Sequence, residues 1–383
     1  MICRNKKNIL ILTSDYIPKP LWGMGRYVET FTLGLKEYYY DKYGYIIATA
    51  YKDRDDVSNM ITTEYELDNK LLSKNPFCIF DNFMNYMLWQ RELAKKVINE
   101  CMIIPNLIYC NNWMSWETAK ILKKHFNCKV VTSIHFLQKQ YELMCENPTL
   151  NCNNDIIQIE KDMLIHSDGL IFFSENSRDM ALSYCWFPKN KTKVIYHTSF
   201  LNSSNITFSD KSNELVYIGR LSIDKGLDKL IEIHNIINHK IPVVLNIIGE
   251  GDFKVPENSM INSYGYLDNN EKIIKILKRS KLFCLFSNSE VFPISVLDCM
   301  SCGVYPILAK NNNIPKMFDI KSGCYFNITN WNNARWTIAK YIVDFLKNNW
   351  LEKCENSYSY YHKFYTKKKM VESTLKFFEN YMG

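Results

Sequence analysis

Glycine is scarce in this sequence, with only 13 in 383 residues. That excludes collagen-like and glycine-rich low-complexity chains, and it makes each glycine informative about where the backbone must turn or approach closely. The thirteen cysteines are scattered, and neither a zinc ribbon nor a disulfide framework is read from them, so a reducing cytoplasm is the expected setting. No apolar run approaches the roughly 18 residues a membrane-spanning helix needs. The opening "MICRNKKNILILTSD" has a basic start but an apolar stretch of only four residues and no small-residue cleavage site, so it reads as a first strand and not a signal peptide. A concentrated basic block is also lacking. The 47 Lys+Arg against 40 Asp+Glu give +7 spread along the chain, which argues against nucleic acid as a partner and favours small anionic ligands only weakly.

The chain is long enough for two domains, and 47% apolar residues can fill two cores. Strand-like runs alternate with helical segments: "NILILTS", a helix from about Gly25, "YGYIIATAY", a helix near 84–101, "NLIYC", a helix near 115–125, "CKVVTSI", a helix near 155–166, and "GLIFFS". This is the pattern of a parallel sheet with helices on both faces. After "KVIYH" the polar stretch "TSFLNSSNITFSDKSNE" reads as a linker. The alternation then restarts with "LVYIG", a helix from Lys225, "VVLNIIG", a helix near 270–279, "LFCLFS", a helix near 294–301 and "VYPIL". The expected fold class is α/β, with two Rossmann-like domains at 1–198 and 210–350 facing each other across a cleft. The helical segment 351–383 is expected to pack back on the first.

Two stretches carry chemistry. In "GRLSIDKG" a strand end and a glycine turn place Arg220 at the carboxyl edge of the second sheet, where open α/β folds bind ligands. Lys225 falls near the start of the next helix, whose free N–H groups already favour an anion, so the pair suits a diphosphate. In "SNSEVFPISVLDCMSCGVYPIL" Glu290 lies in a loop, Pro293 suits a first helical turn, Ile294 and Ser295 can aim backbone N–H groups at an anion, and Asp298 follows one to two turns on. A ligand bearing both phosphate and hydroxyls fits such an arrangement. A solvated charge pair at a helix start and an ordinary surface carboxylate are the bland alternatives for each stretch taken alone.

Together, "GRLSIDKGLDKLI" and "SEVFPISVLDCMSCGVYPI" resemble the signature of the GT-B glycosyltransferases, specifically glycosyltransferase family 4 and its glycogen-synthase-like relatives. "LNIIGEGDF", "YGYLDNNE", "WMSWETAKIL", "PKPLWGMGRYVETF" and "VVTSIH" resemble further landmarks of that family. The resemblance implies a retaining, metal-independent hexosyltransferase that moves sugar from a nucleotide-diphosphate donor, by default a UDP-sugar, to an unidentified sugar, lipid-linked sugar or protein acceptor. No separate cofactor is implied, and peripheral membrane association is left open. It also implies that Arg220 and Lys225 hold the diphosphate, Glu290 borders the transferred sugar, Asp298 accepts from the ribose, and His135 lies beside the sugar. Gly23 and Gly25 would let the first loop close on phosphate and acceptor. The sequence departs from the pattern in having Asp298 for a usual Glu, Trp22 for a first glycine, Asn111 and Asn112 where relatives carry His-Asp, and Lys316 for a frequent Glu.

Rival motifs are weaker. "GMGRYV" imitates a dinucleotide fingerprint but stands about eight residues beyond the first strand, whereas that fingerprint follows its strand directly. The "DRD" at Asp53–Asp55 imitates a metal-binding Asp-x-Asp, and His166 and His197 have no ligand partners at metal spacing. The competing functions are a catalytically inactive GT-B partner subunit and a same-fold phosphorylase or epimerase.

Overall fold

The computed structural model describes residues 6–14, 23–49, 60–62, 83–139, 153–201, 203, 206–310 and 315–382. The chain divides into two compact units, residues 1–196 with 367–383 and residues 197–366.

The first unit runs β1 (Lys7–Leu12), α1 (Gly23–Tyr38), β2 (Tyr43–Thr49), β3 (Met60–Thr62), α2 (Phe83–Glu100), β4 (Leu107–Asn111), α3 (Trp116–Phe126), β5 (Lys129–Ile134), α4 (Asn153–His166), β6 (Gly169–Phe172), α5 (Glu175–Tyr184) and β7 (Thr192–Val194). Its seven strands are ordered β3-β2-β1-β4-β5-β6-β7, all parallel. Residues 8–12 of β1 and all of β4 are buried, which is why they are continuous apolar runs and not alternating patterns. The order reverses between β1 and β4.

The second unit repeats the scheme: β8 (Glu214–Ile218), α6 (Leu227–Asn238), β9 (Val244–Ile248), β10 (Ile261–Ser263), α7 (Asn270–Arg279), β11 (Leu282–Leu285), α8 (Ile294–Ser301), β12 (Tyr305–Ala309), β13 (Cys324–Phe326), α9 (Trp331–Asp344) and α10 (Trp350–Phe364). The sheet order is β10-β9-β8-β11-β12-β13, again parallel throughout, with the reversal between β8 and β11. The expected α/β class with two Rossmann-like domains is therefore borne out, and α7 and α8 have the bounds the periodicity predicts. Asn269 caps α7 by accepting from the Glu271 and Lys272 amides, and Asn330 caps α9 through the Asn333 amide.

Three features differ from the expectation. The helix after β8 starts at Leu227 and not at Lys225, because Gly226 adopts a left-handed φ of 71° that ends a short 3₁₀ turn over Ile223–Lys225. Strands β3, β10 and β13 and helices α5 and α9 were not anticipated; "INS" and "CYF" are too short to show a period. The segment 351–383 does not return to the first unit as a whole. Helix α10 stays on the second, where the Cys354 thiol donates to the Lys281 carbonyl and the Ser357 hydroxyl to the Val304 carbonyl. Only α11 (Lys367–Phe378) packs on α1.

The one C-x-x-C spacing in the sequence, Cys299 and Cys302, lies in and just after α8. Both residues are buried, and burial lifts both thiols above their ordinary range, so they are neutral core groups and not a reactive pair.

Helix α11 completes the first core. The fully buried Phe378 ring packs edge-on to Tyr109 at 4.8 Å and to Phe31 at 6.1 Å, and Phe31 meets Tyr109 at 5.5 Å. Phe378→Ala is expected to destabilise the first unit by about 3–5 kcal/mol, the range for emptying a buried aromatic site. Chemical denaturation of the full chain, with a probe in each unit, checks it.

Candidate functional site

Ligand sites in open parallel sheets lie beyond the carboxyl ends of the strands where strand order reverses. In the second unit that point is flanked by the loops after β8 and β11, and these loops carry the two quoted motifs. They are joined through backbone. The Asn288 amide donates to the Asp224 carbonyl at 2.9 Å. A Cβ on Gly226 would lie 2.4 Å from the Phe286 carbonyl oxygen, so only glycine lets the loops sit this close. The neighbouring β9 loop is equally tight, with a Cβ on Gly249 meeting the Gly219 carbonyl oxygen at 1.9 Å.

On this frame Lys225 reaches Glu290. Its Nζ lies 2.7 Å from Oε1, and both side chains are mostly buried, at 20% and 12% exposure. The Ser287 hydroxyl donates to the same oxygen at 2.7 Å. Arg220 pairs with Asp224 at 2.8 Å but keeps its side chain 61% exposed. The Tyr217 hydroxyl donates to the Arg220 carbonyl at 2.6 Å and fixes the turn. Burial first, then the nearby Glu290 and Asp224 carboxylates, push the Tyr217 phenol up, so it stays a neutral donor. An ammonium has three N–H donors and a guanidinium five. Lys225 uses one on Glu290 and Arg220 one on Asp224, so both cations keep donors for an anion.

Pro293 stands one position earlier than predicted, capping α8 and not opening it. The half-buried Ile294 and Ser295 begin the helix, where no intrahelical carbonyl reaches the first amides. Asp298 has a task the sequence did not reveal. Its Oδ1 accepts from the Ser199 hydroxyl at 2.6 Å and from the Phe200 amide at 3.0 Å, tying the start of the second unit to α8.

In the first unit the matching reversal, between β1 and β4, brings Asn111 and His135 together. The Asn111 amide nitrogen donates to the Leu12 carbonyl at 3.0 Å. Its Oδ1 lies 2.8 Å from Ser133 Oγ and 3.2 Å from His135 Nε2, and Ser133 Oγ lies 3.0 Å from that ring nitrogen. The imidazole packs against Tyr27 at 5.0 Å and Phe173 at 4.6 Å. Asn112 is buried with a left-handed φ of 63°, and its Oδ1 has no hydrogen-bond partner among the described residues. Strained backbone of this kind clusters at functional sites, and a buried acceptor without a partner calls for an explanation. Gly23 and Gly25 open α1, the first exposed and the second buried. Trp22 and Asp53–Asp55 lie outside the described residues, and Lys316 is exposed. Asp224, Ser287 and Ser133 were missed by sequence reasoning, although the i,i+4 spacing of Arg220 and Asp224 was a readable signal.

Among the described residues no three His, Cys, Asp or Glu side chains are grouped as metal ligands, and no helix is long and apolar enough to cross a membrane.

The family model for glycosyl transferases group 1 matches residues 201–363. Over those residues, somewhat under half of the chain, the second unit is similar to a group 1 glycosyl transferase domain. This domain contains both loops of the β8/β11 reversal, so the resemblance read from "GRLSIDKG" and its companion is borne out, as is the enzyme class. A curated relative, an uncharacterized glycosyltransferase of Methanocaldococcus jannaschii, is 20% identical over 288 residues, covering 68% of this chain and 73% of the relative. Among solved structures, sucrose-phosphate synthase from Thermosynechococcus elongatus is similar with a TM-score of 0.72 at 14% identity, over 98% of this chain and 99% of that one. The Anabaena protein HepE, solved in complex with UDP and glucose, is similar with a TM-score of 0.66 at 13% identity, over 97% and 99% of the two chains. At such identities the structures establish a shared fold.

The Asp298 contacts predict a stability effect. Asp298→Ala is expected to lower the unfolding free energy by about 1.5–3 kcal/mol, the range for hydrogen bonds to a charged group. Asp298→Asn keeps an acceptor oxygen and should cost less; urea titration of the two variants checks the order.

Proposed function

We propose that this glycosyltransferase is a retaining, metal-independent enzyme of the family 4 kind, acting on a nucleotide-diphosphate sugar. The observation that carries the reading is the Lys225–Glu290 pair at the β8/β11 reversal with the exposed Arg220 beside it. The hard step in sugar transfer is breaking the bond from the anomeric carbon to the diphosphate, which leaves with the electron pair. Fixed cations and first-turn amides stabilise that growing charge without reorganisation. In this reading Lys225 and Arg220 bind the diphosphate with their remaining donors, joined by the amides of Ile294 and Ser295. Glu290, held by Lys225 and Ser287, accepts from sugar hydroxyls.

Asp298 serves the ribose as a shared carboxylate. Oδ1 holds the linker, and a carboxylate offers about four acceptor positions in all. His135 stands beside the sugar, and Gly23 and Gly25 shape the phosphate and acceptor loop. The acceptor hydroxyl attacks on the face the leaving group vacates, forms the new C–O bond, and gives its proton to the departing diphosphate oxygen. UDP is the default donor nucleotide, a choice supported by the UDP-containing complex of the Anabaena protein. The acceptor is a sugar, a lipid-linked sugar or a protein, and the reaction belongs in the cytoplasm.

Purified protein screened against UDP-, GDP- and ADP-sugars should release nucleotide slowly from one of them, and excess chelator should leave that rate intact. Arg220→Ala and Lys225→Ala should each lower turnover by about 10²–10³, the effect of removing one preorganised donor. Correctly folded variants with rates within about threefold of the parent would remove the diphosphate assignment. The anomeric configuration of the product, read by proton NMR, tests retention.

A further inference from the structure

We infer that the amino-terminal edge of the first sheet is a docking surface for an anionic lipid bilayer. All seven strands run the same way, so the segments that lead into them gather at one edge, opposite the edge that carries Asn111 and His135. Large apolar side chains project there. Tyr40 precedes β2 and is 67% exposed, Met102 and Ile104 precede β4 at 93% and 72%, and Trp186 precedes β7 at 82%. Among the described residues of the first unit, Met84 is the one other large apolar side chain as exposed as these. Scattered exposed apolar residues need no explanation, but their gathering at one edge does.

Lysines stand between them. Lys7 opens β1, Lys42 precedes β2, Lys124 lies in the last turn of α3 and Lys189 precedes β7. All four are exposed, and none has a carboxylate partner among the described residues. The Lys6 ammonium lies 5.7 Å over the Tyr40 ring. The carboxylates of this edge are mostly engaged: Asp168 pairs with Lys123 at 2.7 Å and Lys129 at 3.1 Å, Glu100 lies 3.8 Å from Lys96, and Glu379 accepts from the Tyr43 hydroxyl at 3.0 Å. Asp41 is exposed beside Lys42. Helices α1 to α5 also end here, so part of the lysine charge answers helix dipoles. That accounts for cations and leaves the protruding apolar groups over.

The spacing decides the partner. Tyr40, Met102 with Ile104, and Trp186 stand before strands two and then three places apart in the sheet, roughly 10 and 14 Å at the usual strand separation. A protein partner needs a contiguous apolar core, from which lysine is depleted. Here the apolar groups are separate and lysines lie between them. A bilayer takes each ring or chain singly at the headgroup level, while lysine stems lie along the lipid and their ammonium groups meet phosphate. Each lysine near an anionic surface contributes about fivefold to binding. Docked this way, the edge with Asn111 and His135 stands away from the lipid by one strand length, roughly 20 Å for the six residues of β5.

The test is co-sedimentation of the full chain with phosphatidylcholine vesicles, with and without phosphatidylserine. Binding to the anionic vesicles is expected, falling as salt rises, with little binding to phosphatidylcholine alone. Lys189→Glu should weaken it about tenfold or more, since a reversal removes one attraction and adds one repulsion. The double variant Met102→Ser with Trp186→Ala should weaken it by a similar factor, because two large apolar groups are withheld from the lipid. These side chains are exposed, so thermal unfolding and nucleotide release without vesicles should match the parent's. Binding is read without turnover, so its failure and the failure of the proposed function are told apart. Absence of binding to anionic vesicles overturns the inference, as does binding that both variants retain in full. A dimer in solution that the double variant dissolves would also overturn it, making this edge a surface for a second copy of the chain.

Discussion

The candidate donor site depends on one close approach, that of the loop after β8 to the loop after β11. Without a side chain at Gly226, the backbone there lies against the Phe286 carbonyl. That contact brings Lys225 within 2.7 Å of Glu290. The Asn288 to Asp224 backbone bond closes the same seam. The ion pair follows from the seam and does not create it. A partly buried pair is weak evidence for stability, so the fit of two loops, more than the energy of two charges, orders this edge of the sheet.

Each unit concentrates its polar chemistry where its own strand order reverses, yet the two reversals are built from different materials. The second has paired charges: Arg220 with Asp224 and Lys225 with Glu290. The first has the uncharged Asn111 and Ser133 beside the His135 imidazole, set among aromatic rings. Tyr27 and Tyr109 share a hydrogen bond of 2.8 Å, and burial pushes the Tyr27 phenol up to about 12 and the Tyr109 phenol up as well, so both stay uncharged at neutral pH.

Much of the fold was legible because buried parallel strands are apolar runs, and "NILIL", "NLIYC" and "LFCLF" could be little else. Strands such as Ile261–Ser263 were not legible, since three residues show no period and an edge strand needs no apolar face. The site was legible as far as backbone and charge type reach: glycine before a helix, cations after a strand, a carboxylate in the opposing loop. Spacing could not show that Lys225 meets Glu290 while Arg220 turns to Asp224, because that is decided by rotamers. Asp298 is the clearest case. Its place on α8 could be read, but its bonds to Ser199 and Phe200 come from a linker whose path no local pattern records.

The packing of α11 on α1 has a consequence for synthesis. Because Phe378 stands between Phe31 and Tyr109, the first unit lacks part of its core until residues 367–378 have been made. The second unit is complete at residue 366. On the ribosome the usual order, in which the N-terminal domain folds first, is therefore reversed for the final step. The second unit can close while the first still exposes an aromatic slot, and α11, made after the second unit, is the helix that fills it.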